Sequence, residues 1–232
     1  PYWLSFLLSL AGMALFGVIF NLGVYYPLRH RTFLPVIIAT IGASIFLANS
    51  VLAIYGPAPQ VLEGWFETPG IQLGPVYLDS QYLLIIAVTI ALVIFNFWFF
   101  EHTMLGKKLQ ATSQDKEMAS LLGISVSTMI MITFIYSAVL GGLAGILVAP
   151  VLFVSIQMGS TIALKAFAAT IIGGFGDVAG AIIGGLALGI IETFGAAYIS
   201  VPYKDAFAFL VLILFLVFRP QGIFGERVAE KA

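Results

Sequence analysis

Lys165 and Glu192 are the two ionisable side chains whose positions most need a chemical explanation, because each stands within a long apolar stretch. A charged group at hydrocarbon depth is costly, so it is expected to be paired, to reach the interface or to lose its charge. Lys165 precedes Asp177 by 12 residues and Glu192 follows it by 15. If the chain turns back near Asp177, their depths differ by about one helical turn. An ion pair towards the outer half of a helix bundle is therefore predicted, with snorkelling of Lys165 and a protonated Glu192 as the alternatives.

Catalytic or metal chemistry is not indicated elsewhere in the chain. The sequence has no cysteine and two histidines, His30 and His102, which excludes thiol nucleophiles and thiolate metal sites. The acidic side chains are spread over different loops and apolar segments, so no general acid and base fall together. The few basic residues are explained by membrane topology, so nucleic acid is not an expected partner. We expect neither an enzyme nor a metal site.

Two glycine-containing segments resemble nucleotide-binding motifs only superficially. The run Gly174-Phe175-Gly176-Asp177-Val178-Ala179 mimics a dinucleotide fingerprint, but no β-strand is predicted before it and no βαβ unit around it. Gly106-Lys107-Lys108 is no P-loop, because Glu101 stands where the first glycine belongs and Lys108 replaces the serine or threonine. We expect the chain to bind no ATP and to carry no cofactor of its own.

Composition places these side chains in a membrane. Hydrophobic residues make up 61% of the 232-residue chain, charged residues make up 9%, and the mean hydropathy is +1.08. These values exclude a water-soluble globular domain. A hydrocarbon core of about 30 Å needs roughly 20 helical residues. Four segments supply them: residues 3–26, 34–55, 82–100 and 128–148.

The C-terminal third is interrupted. A short apolar piece, 164–174, runs into the helix breaker Gly173-Gly174-Phe175-Gly176-Asp177, and two further apolar segments follow at 179–197 and 206–218. We therefore predict an all-α, polytopic transmembrane helix bundle with one broken or half-helix hairpin in the C-terminal third. We expect residues 1–232 to form a single transmembrane domain.

Loop charges indicate the orientation, because loops rich in Lys and Arg stay in the cytoplasm. Two arginines in 29–31 and three lysines in 101–127 predict that both loops are cytoplasmic. The loop 56–81 has three acids and no basic residue, so it is predicted to be external, with a small β-hairpin over 71–78. The basic C-terminus lies in the cytoplasm if 150–174 crosses the membrane completely and outside if it dips and returns, and the charge rule favours the complete crossing.

The polar segment 101–127 contains a predicted short amphipathic helix. Thr112-Ser113-Gln114-Asp115 matches a capping box, in which Thr112 accepts from the backbone and Asp115 reaches back. Gly123 is the predicted stop. An apolar stripe lies between them on one helix face: Met118, Leu121 and Leu122. In the cytoplasm this stripe needs a cover, which is the bilayer surface, this chain's own helices or a partner protein.

Glycines recur at four-residue spacing, which stacks them on one helix face and permits close backbone approach. The predicted helix-packing glycines are Gly141 and Gly145, then Gly176, Gly180 and Gly184, then Gly185 and Gly189. Such faces serve either static packing or the sliding of helices around a translocation path. The sequence leaves both open.

Seven short pieces spread over nearly the whole chain are distinctive: Tyr26-Pro27-Leu28-Arg29, Ile41-Gly42-Ala43-Ser44-Ile45-Phe46-Leu47 with Asn49, Met118-Ala119-Ser120-Leu121-Leu122-Gly123-Ile124, Lys165-Ala166-Phe167, Gly173-Gly174-Phe175-Gly176 with Gly180-Ala181, Gly189-Ile190-Ile191-Glu192, and Tyr203-Lys204-Asp205 with Arg219-Pro220-Gln221-Gly222. In this order they resemble the membrane subunits of bacterial high-affinity branched-chain amino-acid ABC importers.

The resemblance implies a permease domain in the plasma membrane of a bacterium or archaeon, working by alternating access. Its implied partners are a second homologous permease subunit, two ATP-binding cassette subunits, which use the ATP, and an external solute-binding protein. Members of the family usually carry additional N-terminal spans, so we expect such spans to be missing here. The implied ATPase-coupling residues are Gly106, Ala111, Asp115, Met118, Ala119, Leu121, Leu122, Gly123 and Ile124, and the intramembrane polar or pathway candidates are Asn49, Lys165 and Glu192.

Other functions stay open at this point. Related permeases take urea or short amides, and a fold does not decide the solute. An ion-coupled secondary transporter would need an ionisable group at mid-membrane, for which Glu192 is the candidate, although the amphipathic cytoplasmic helix argues against it. A purely structural subunit would use its glycines only for packing. The solute and the pairing of like or unlike permease subunits are not determined by the sequence.

Overall fold

A computed structural model describes residues 2–29, 31–62, 70–73, 76–174, 178–219 and 221–223. The helices within them are α1 (Tyr2–Phe20), α2 (Phe33–Tyr55), α3 (Ser80–His102), α4 (Met104–Gln114), α5 (Lys116–Leu121), α6 (Val126–Leu152), α7 (Met158–Gly173), α8 (Val178–Tyr198) and α9 (Lys204–Phe218). Among these described residues, five helical segments are long and apolar enough to cross a membrane, and α7 is a shorter apolar helix. The predicted polytopic helical fold is confirmed.

The chain divides into two compact units, Pro1–Ile156 and Gln157–Ala232. In the first unit, α1 packs along α6. After Phe20, α1 widens into a π-helical turn, Asn21–Tyr25, and a 3-10 turn, Tyr26–Leu28. The ring of Phe134 on α6 lies 5.9 Å from that of Phe20 and 5.5 Å from that of Tyr25, so it contacts both ends of the π turn. The side chain of Asn21 within this turn is buried.

Glycines bring α1 and α6 together, but at other positions than the spacing predicted. An added Cβ at Gly17 would lie 2.8 Å from Ile135 Cα, and one at Gly142 would lie 2.6 Å from Met13 Cγ. A Cβ added at Gly141 or at Gly145 would have no atom of the other described residues within 4 Å. A four-residue spacing defines a face, and Gly142 lies about 100° around the helix from Gly141, which is why the neighbouring face makes the contact.

Two short strands confirm the predicted hairpin. β1 (Ile71–Leu73) pairs antiparallel with β2 (Val76–Leu78), with Ile71 opposite Leu78. The turn residues, 74 and 75, lie outside the described residues. Gln60 and Val154 exchange two backbone hydrogen bonds of 2.9 and 2.8 Å, which join the segment after α2 to the segment after α6. The ends of α2 and α6 are therefore on the same side of this unit, as the predicted topology requires.

The start of α3 is fixed to the end of α6 by one buried side chain. Gln81, which is 6% exposed, donates through Nε2 to the backbone oxygen of Leu147 at 2.9 Å. Leu147 lies in the turn before Pro150, whose ring disturbs the preceding helical turn. In a membrane helix, a side-chain donor at such a point stabilises the disturbed backbone.

The second unit is a helical hairpin of α7 and α8 with α9 packed against both. Its core is built from small and branched side chains on the three helices, Ala168, Ala169, Ile172, Leu188 and Ala208. With 16 residues, α7 is about 24 Å long, which is shorter than a typical span. The predicted short or broken helix in the C-terminal third is α7. The predicted turn around Gly176 and Asp177 lies outside the described residues.

Close backbone approach within this hairpin occurs at its glycines. An added Cβ at Gly184 would collide with the Ala169 carbonyl oxygen, and one at Gly173 with the Gly180 backbone. By contrast, Gly185 is in ordinary contact with Ala169, and Gly189 has open space around it among the described residues. The close face of α8 therefore runs through Gly180 and Gly184.

Candidate functional site

The segment 101–127 forms two short helices joined at Asp115. Thr103 caps α4, because its Oγ1 accepts from Gly106 N at 3.0 Å. Asp115 caps α5, because its Oδ1 accepts from Glu117 N at 2.9 Å and from Met118 N at 3.0 Å. The predicted role of Thr112 as a cap is wrong. Thr112 lies in the last turn of α4 and its hydroxyl donates to the Lys108 carbonyl oxygen at 2.8 Å, so the helix begins at Lys116 and Asp115 is its cap.

Gly106 makes a tight elbow between α3 and α4. A Cβ at this position would collide with the Phe99 carbonyl oxygen and lie 2.7 Å from Phe100 Cα. Leu109 and Thr112 on α4 are buried, and α4 also packs against α6. The orientation of α4 is therefore fixed to the end of the α3 span.

The apolar stripe on α5 faces outwards. Ala119 is 2% exposed and fixes the helix to its own unit, whereas Met118, Leu121 and Leu122 are 57%, 80% and 73% exposed. Gly123 has φ +77° and ends the helix, and Ile124 N donates to Ala119 O at 3.0 Å. This chain's own described helices do not cover the stripe.

The predicted coupling residues therefore divide by exposure. Gly106 and Ala119 are buried, Ala111 and Ile124 are half-buried, and Asp115, Met118, Leu121, Leu122 and Gly123 are exposed. Met104 and Leu105 on the first turn of α4 are also exposed, at 75% and 45%. Met104 and Leu105 are not among the predicted coupling residues, because α4 was not predicted as a separate helix.

A charge cluster joins the three helices of the second unit. Lys165 Nζ on α7 lies 2.6 Å from Glu192 Oε1 on α8 and 2.7 Å from Asp205 Oδ1 on α9. Lys204 Nζ, beside Asp205, lies 3.9 Å from Glu192 Oε1. The predicted pairing of Lys165 with Glu192 is confirmed. Asp205 and Lys204 were not predicted to join this pair, because nothing in the spacing placed α9 against the hairpin.

Helix geometry explains why Lys165 and Glu192 meet. Gly173 contacts Gly180 and Ala169 contacts Gly184, so α7 and α8 run antiparallel with these pairs level. On that register Lys165 is level with Leu188, one turn from Glu192. Helical side chains lean towards the N-terminus of their own helix, which here tilts Lys165 and Glu192 towards each other. The length of the lysine side chain bridges the remaining turn.

The third polar candidate, Asn49, has a different environment. It is exposed on α2, and its Nδ2 donates to the Ile45 carbonyl oxygen of the same helix at 2.8 Å. Two other polar side chains in apolar helices, Asn96 and Tyr136, were not predicted as candidates and join two helices. Tyr136 on α6 donates to Asn96 on α3, and the rings of Tyr136 and Phe99 are stacked 5.3 Å apart. The sequence feature that could have indicated this contact is the presence of a polar Asn and Tyr within long apolar segments.

Comparison with known proteins decides the class of this assembly of helices. The family described as branched-chain amino acid transport system, permease component, matches residues 1–216. The chain belongs to this family. A permease component is a transport protein and not an enzyme, as the sequence predicted.

Three relatives of this permease show its similarity to named transport proteins. It is 34% identical over 232 residues to the high-affinity branched-chain amino acid transport system permease protein BraD of Pseudomonas aeruginosa, covering 98% of this chain and 76% of BraD. It is 34% identical over 212 residues to the corresponding protein LivH of Escherichia coli K12, covering 89% and 69%. It is 28% identical over 198 residues to the autoinducer 2 import system permease protein LsrC of Escherichia coli, covering 80% and 55%. No solved structure matches the chain.

Proposed function

We propose that this permease is a membrane-spanning subunit of an ATP-driven importer for branched-chain amino acids. In this proposal it pairs with a homologous permease subunit, two ATP-binding cassette subunits and an external solute-binding protein. The names of BraD and LivH support the solute class, since both are permeases of branched-chain amino acid transport systems. The subunit contributes to a translocation path that opens alternately to each side of the membrane, and the partner subunits use the ATP.

The exposed stripe on α5 is the observation that carries the proposal. Met118, Leu121 and Leu122 are all more than half exposed, in the most polar part of the chain and shortly after its three lysines at 107, 108 and 116. A soluble environment disfavours such a patch unless another protein covers it. A short helix that presents three apolar side chains fits a groove on a partner, because the i, i+3 and i+4 positions enter the groove together.

The elbow at Gly106 supplies a route from that partner to the membrane. α5 is fixed through Ala119, α4 is fixed through Leu109 and Thr112, and α4 abuts the last turn of α3 without a Cβ between them. A displacement of α5 by an ATPase subunit therefore reaches α3 through packed backbone instead of a flexible linker. Such rigid links carry conformational changes between sites.

The charge distribution supports one orientation in the membrane. With the lysines of 101–127 in the cytoplasm, the acidic segment 56–81 lies outside, where it contributes to docking of the binding protein. The same orientation gives the C-terminus to the cytoplasm. We assign the protein to the plasma membrane of a bacterium or archaeon on this basis.

Two other transport functions make different predictions. A permease for other solutes has support in the similarity to LsrC, whose name assigns it to autoinducer 2 import, and a urea or amide permease would share the fold. An ion-coupled transporter would use Glu192 as its coupling group, but Glu192 is in an ion pair with Lys165. Uptake that needs ATP and not an ion gradient distinguishes the importer from an ion-coupled transporter. Competition between leucine and other solutes distinguishes a branched-chain amino acid importer from a permease for another solute.

The test of the proposed function removes the stripe. In the complete complex, Met118→Asp together with Leu122→Asp is expected to abolish ATP-driven leucine uptake while the permease still inserts, because two carboxylates enter an apolar contact. The matched control adds two carboxylates to exposed polar positions of α4, Gln110→Asp with Ser113→Asp, and is expected to keep uptake. A crosslinker on Ser120→Cys should capture an ATPase subunit. Capture of lipid or of this chain alone would refute the docking.

A further inference from the structure

The charge cluster of the second unit has unused binding capacity. Lys165 Nζ bridges Glu192 Oε1 and Asp205 Oδ1 at 2.6 and 2.7 Å. Among the described residues, Lys165 contacts one oxygen of each carboxylate, and Lys204 Nζ lies 3.9 Å from Glu192 Oε1. The other oxygen of each carboxylate and the ammonium group of Lys204 have no hydrogen-bond partner among the described residues, and the buried Asp205 Oδ1 makes an ion pair with Lys165 without a hydrogen bond.

The cluster is also open on one side. The side chains of Lys165 and Glu192 are 21% and 18% exposed, whereas those of Lys204 and Asp205 are 44% and 46% exposed. Ionisable groups at the edge of an apolar bundle are expensive when they face lipid. The open side is therefore a place for water, a partner or a ligand, and not for acyl chains.

Charge balance selects the kind of ligand. The four side chains carry two positive and two negative charges, so the cluster is neutral. A simple cation or anion would leave a net charge beside the partly buried pair of Lys165 and Glu192 at the edge of the apolar bundle, which is disfavoured. A zwitterion with no net charge keeps the balance, because its ammonium group pairs with carboxylates and its carboxylate pairs with an ammonium group.

We propose that Glu192, Asp205 and Lys204 form a binding site for the charged backbone of a zwitterionic α-amino acid. The ammonium group of the ligand is bound by the free oxygens of Glu192 and Asp205, and its carboxylate is bound by Lys204. Lys165 holds the two carboxylates in place. Its positive charge balances one of them, and the ammonium group of the ligand balances the other. This inference rests on the proposed function, whose solutes are zwitterions, and it names residues of the translocation path that recognise them.

A single introduced cysteine tests the site, because the chain has none of its own. Tyr203→Cys places a thiol beside Lys204 at a position that is 65% exposed, and Val61→Cys in the first unit is a control at a position that is 71% exposed. The complete complex is labelled with the uncharged reagent N-ethylmaleimide in the presence of leucine, of 4-methylpentanoate, which lacks the ammonium group, or of 3-methylbutylamine, which lacks the carboxylate.

Leucine is expected to slow labelling of Tyr203→Cys about tenfold at a concentration about nine times its Kd, in proportion to occupancy. The two analogues should not slow it, and the Val61→Cys control should react at one rate throughout. Adding Lys204→Gln or Asp205→Asn should raise the leucine concentration that gives half-maximal protection by about tenfold or more, which is the loss of affinity expected for a charged hydrogen bond. Lys204→Arg keeps the charge and should keep the protection.

Leucine uptake by the same complexes separates the two proposals. Uptake without protection, equal protection by an analogue, or unchanged protection in Lys204→Gln and Asp205→Asn would overturn the zwitterion site and leave the proposed function standing. Protection by leucine in a complex that imports no leucine would support the site and remove the proposed function. Loss of protection in Lys204→Gln with its retention in Lys204→Arg distinguishes binding from misfolding, because both variants alter the same position.

Discussion

The hydroxyl group of Tyr136 donates a hydrogen bond of 2.6 Å to Asn96 Oδ1, and this bond joins α6 to α3. The amide of Asn96 also donates through Nδ2 to the Leu92 carbonyl oxygen of its own helix at 2.7 Å, which fixes the side chain. Tyr136 stacks on Phe99 with an interplanar angle of 12° and meets Phe100 edge to face. The polar and aromatic contacts therefore meet one turn before the elbow at Gly106.

Tyr136→Phe tests the polar part of this junction. The substitution keeps the ring and its stacking and removes the hydroxyl, so it should destabilise the permease by about 0.6 kcal/mol, the average for hydrogen bonds between membrane helices, and by no more than about 1.7 kcal/mol. Thermal unfolding of the purified complex measures the effect. Tyr82→Phe is the matched control on α3, where the side chain is 50% exposed. Equal shifts for the two variants would contradict the assigned role of the bond.

Helix positions could be predicted from the sequence because lipid imposes one rule, a long apolar run, on every span. That rule placed α2, α3, α6 and α8 to within four residues at each end, and it placed α1 together with the π-helical and 3-10 turns that follow it. This rule does not predict where helices begin in the polar segment 101–127, because there the cap is the side chain that lies next to free backbone N–H groups. Thr112 and Asp115 both suit a cap, and α4 already occupies Thr112.

Contacts between distant helices were harder to predict. The pairing of Lys165 with Glu192 followed from a hairpin with a predicted turn, since depth along two connected helices can be counted. Asp205 belongs to a third helix, and no count fixes its rotation or tilt relative to the hairpin. For the same reason, the spacing of Gly141 and Gly145 defined a face without showing whether a helix lies against it.

The shared position of Lys165 predicts an order of effects in the charge cluster. Lys165→Met removes the cation from two carboxylates, whereas Glu192→Gln leaves the ion pair of Lys165 with Asp205. Breaking a largely buried ion pair destabilises by about 3 kcal/mol, so Lys165→Met should lower thermal stability more than Glu192→Gln.

Lys165→Met combined with Glu192→Met should lose less stability than the sum of the losses from Lys165→Met alone and Glu192→Met alone, because the two side chains are coupled. Unfolding temperatures of all four proteins complete the cycle. Additive losses would show that Lys165 and Glu192 do not depend on each other, and a milder effect of Lys165→Met than of Glu192→Gln would contradict its central position.

Gly184 and Gly141 offer a matched test of glycine packing. Gly184→Ala places a Cβ against the Ala169 carbonyl oxygen and 2.8 Å from Gly173 N, where the backbone must move, so the hairpin of α7 and α8 should be strongly destabilised. Gly141→Ala meets open space among the described residues and should leave the unfolding temperature nearly unchanged or raise it, since alanine is the better helix former. The yield of folded protein from detergent extracts measures both. Similar yields would mean that the two helices do not pack closely at Gly184.

The last prediction concerns the side of the membrane on which α9 begins. On the register that brings Gly173 level with Gly180, Met158 is level with Gly195, so α7 runs beside most of α8. We therefore expect α7 to cross the membrane fully despite its length. Val201→Cys, between α8 and α9, should then react with a membrane-impermeant maleimide in intact cells whose outer membrane, where one is present, has been opened. Gln221→Cys, after α9, should react only with a permeant reagent. If α7 dips into the membrane and returns, the two results are exchanged. The two cysteines are needed together, because one unlabelled cysteine can also result from poor access of the reagent.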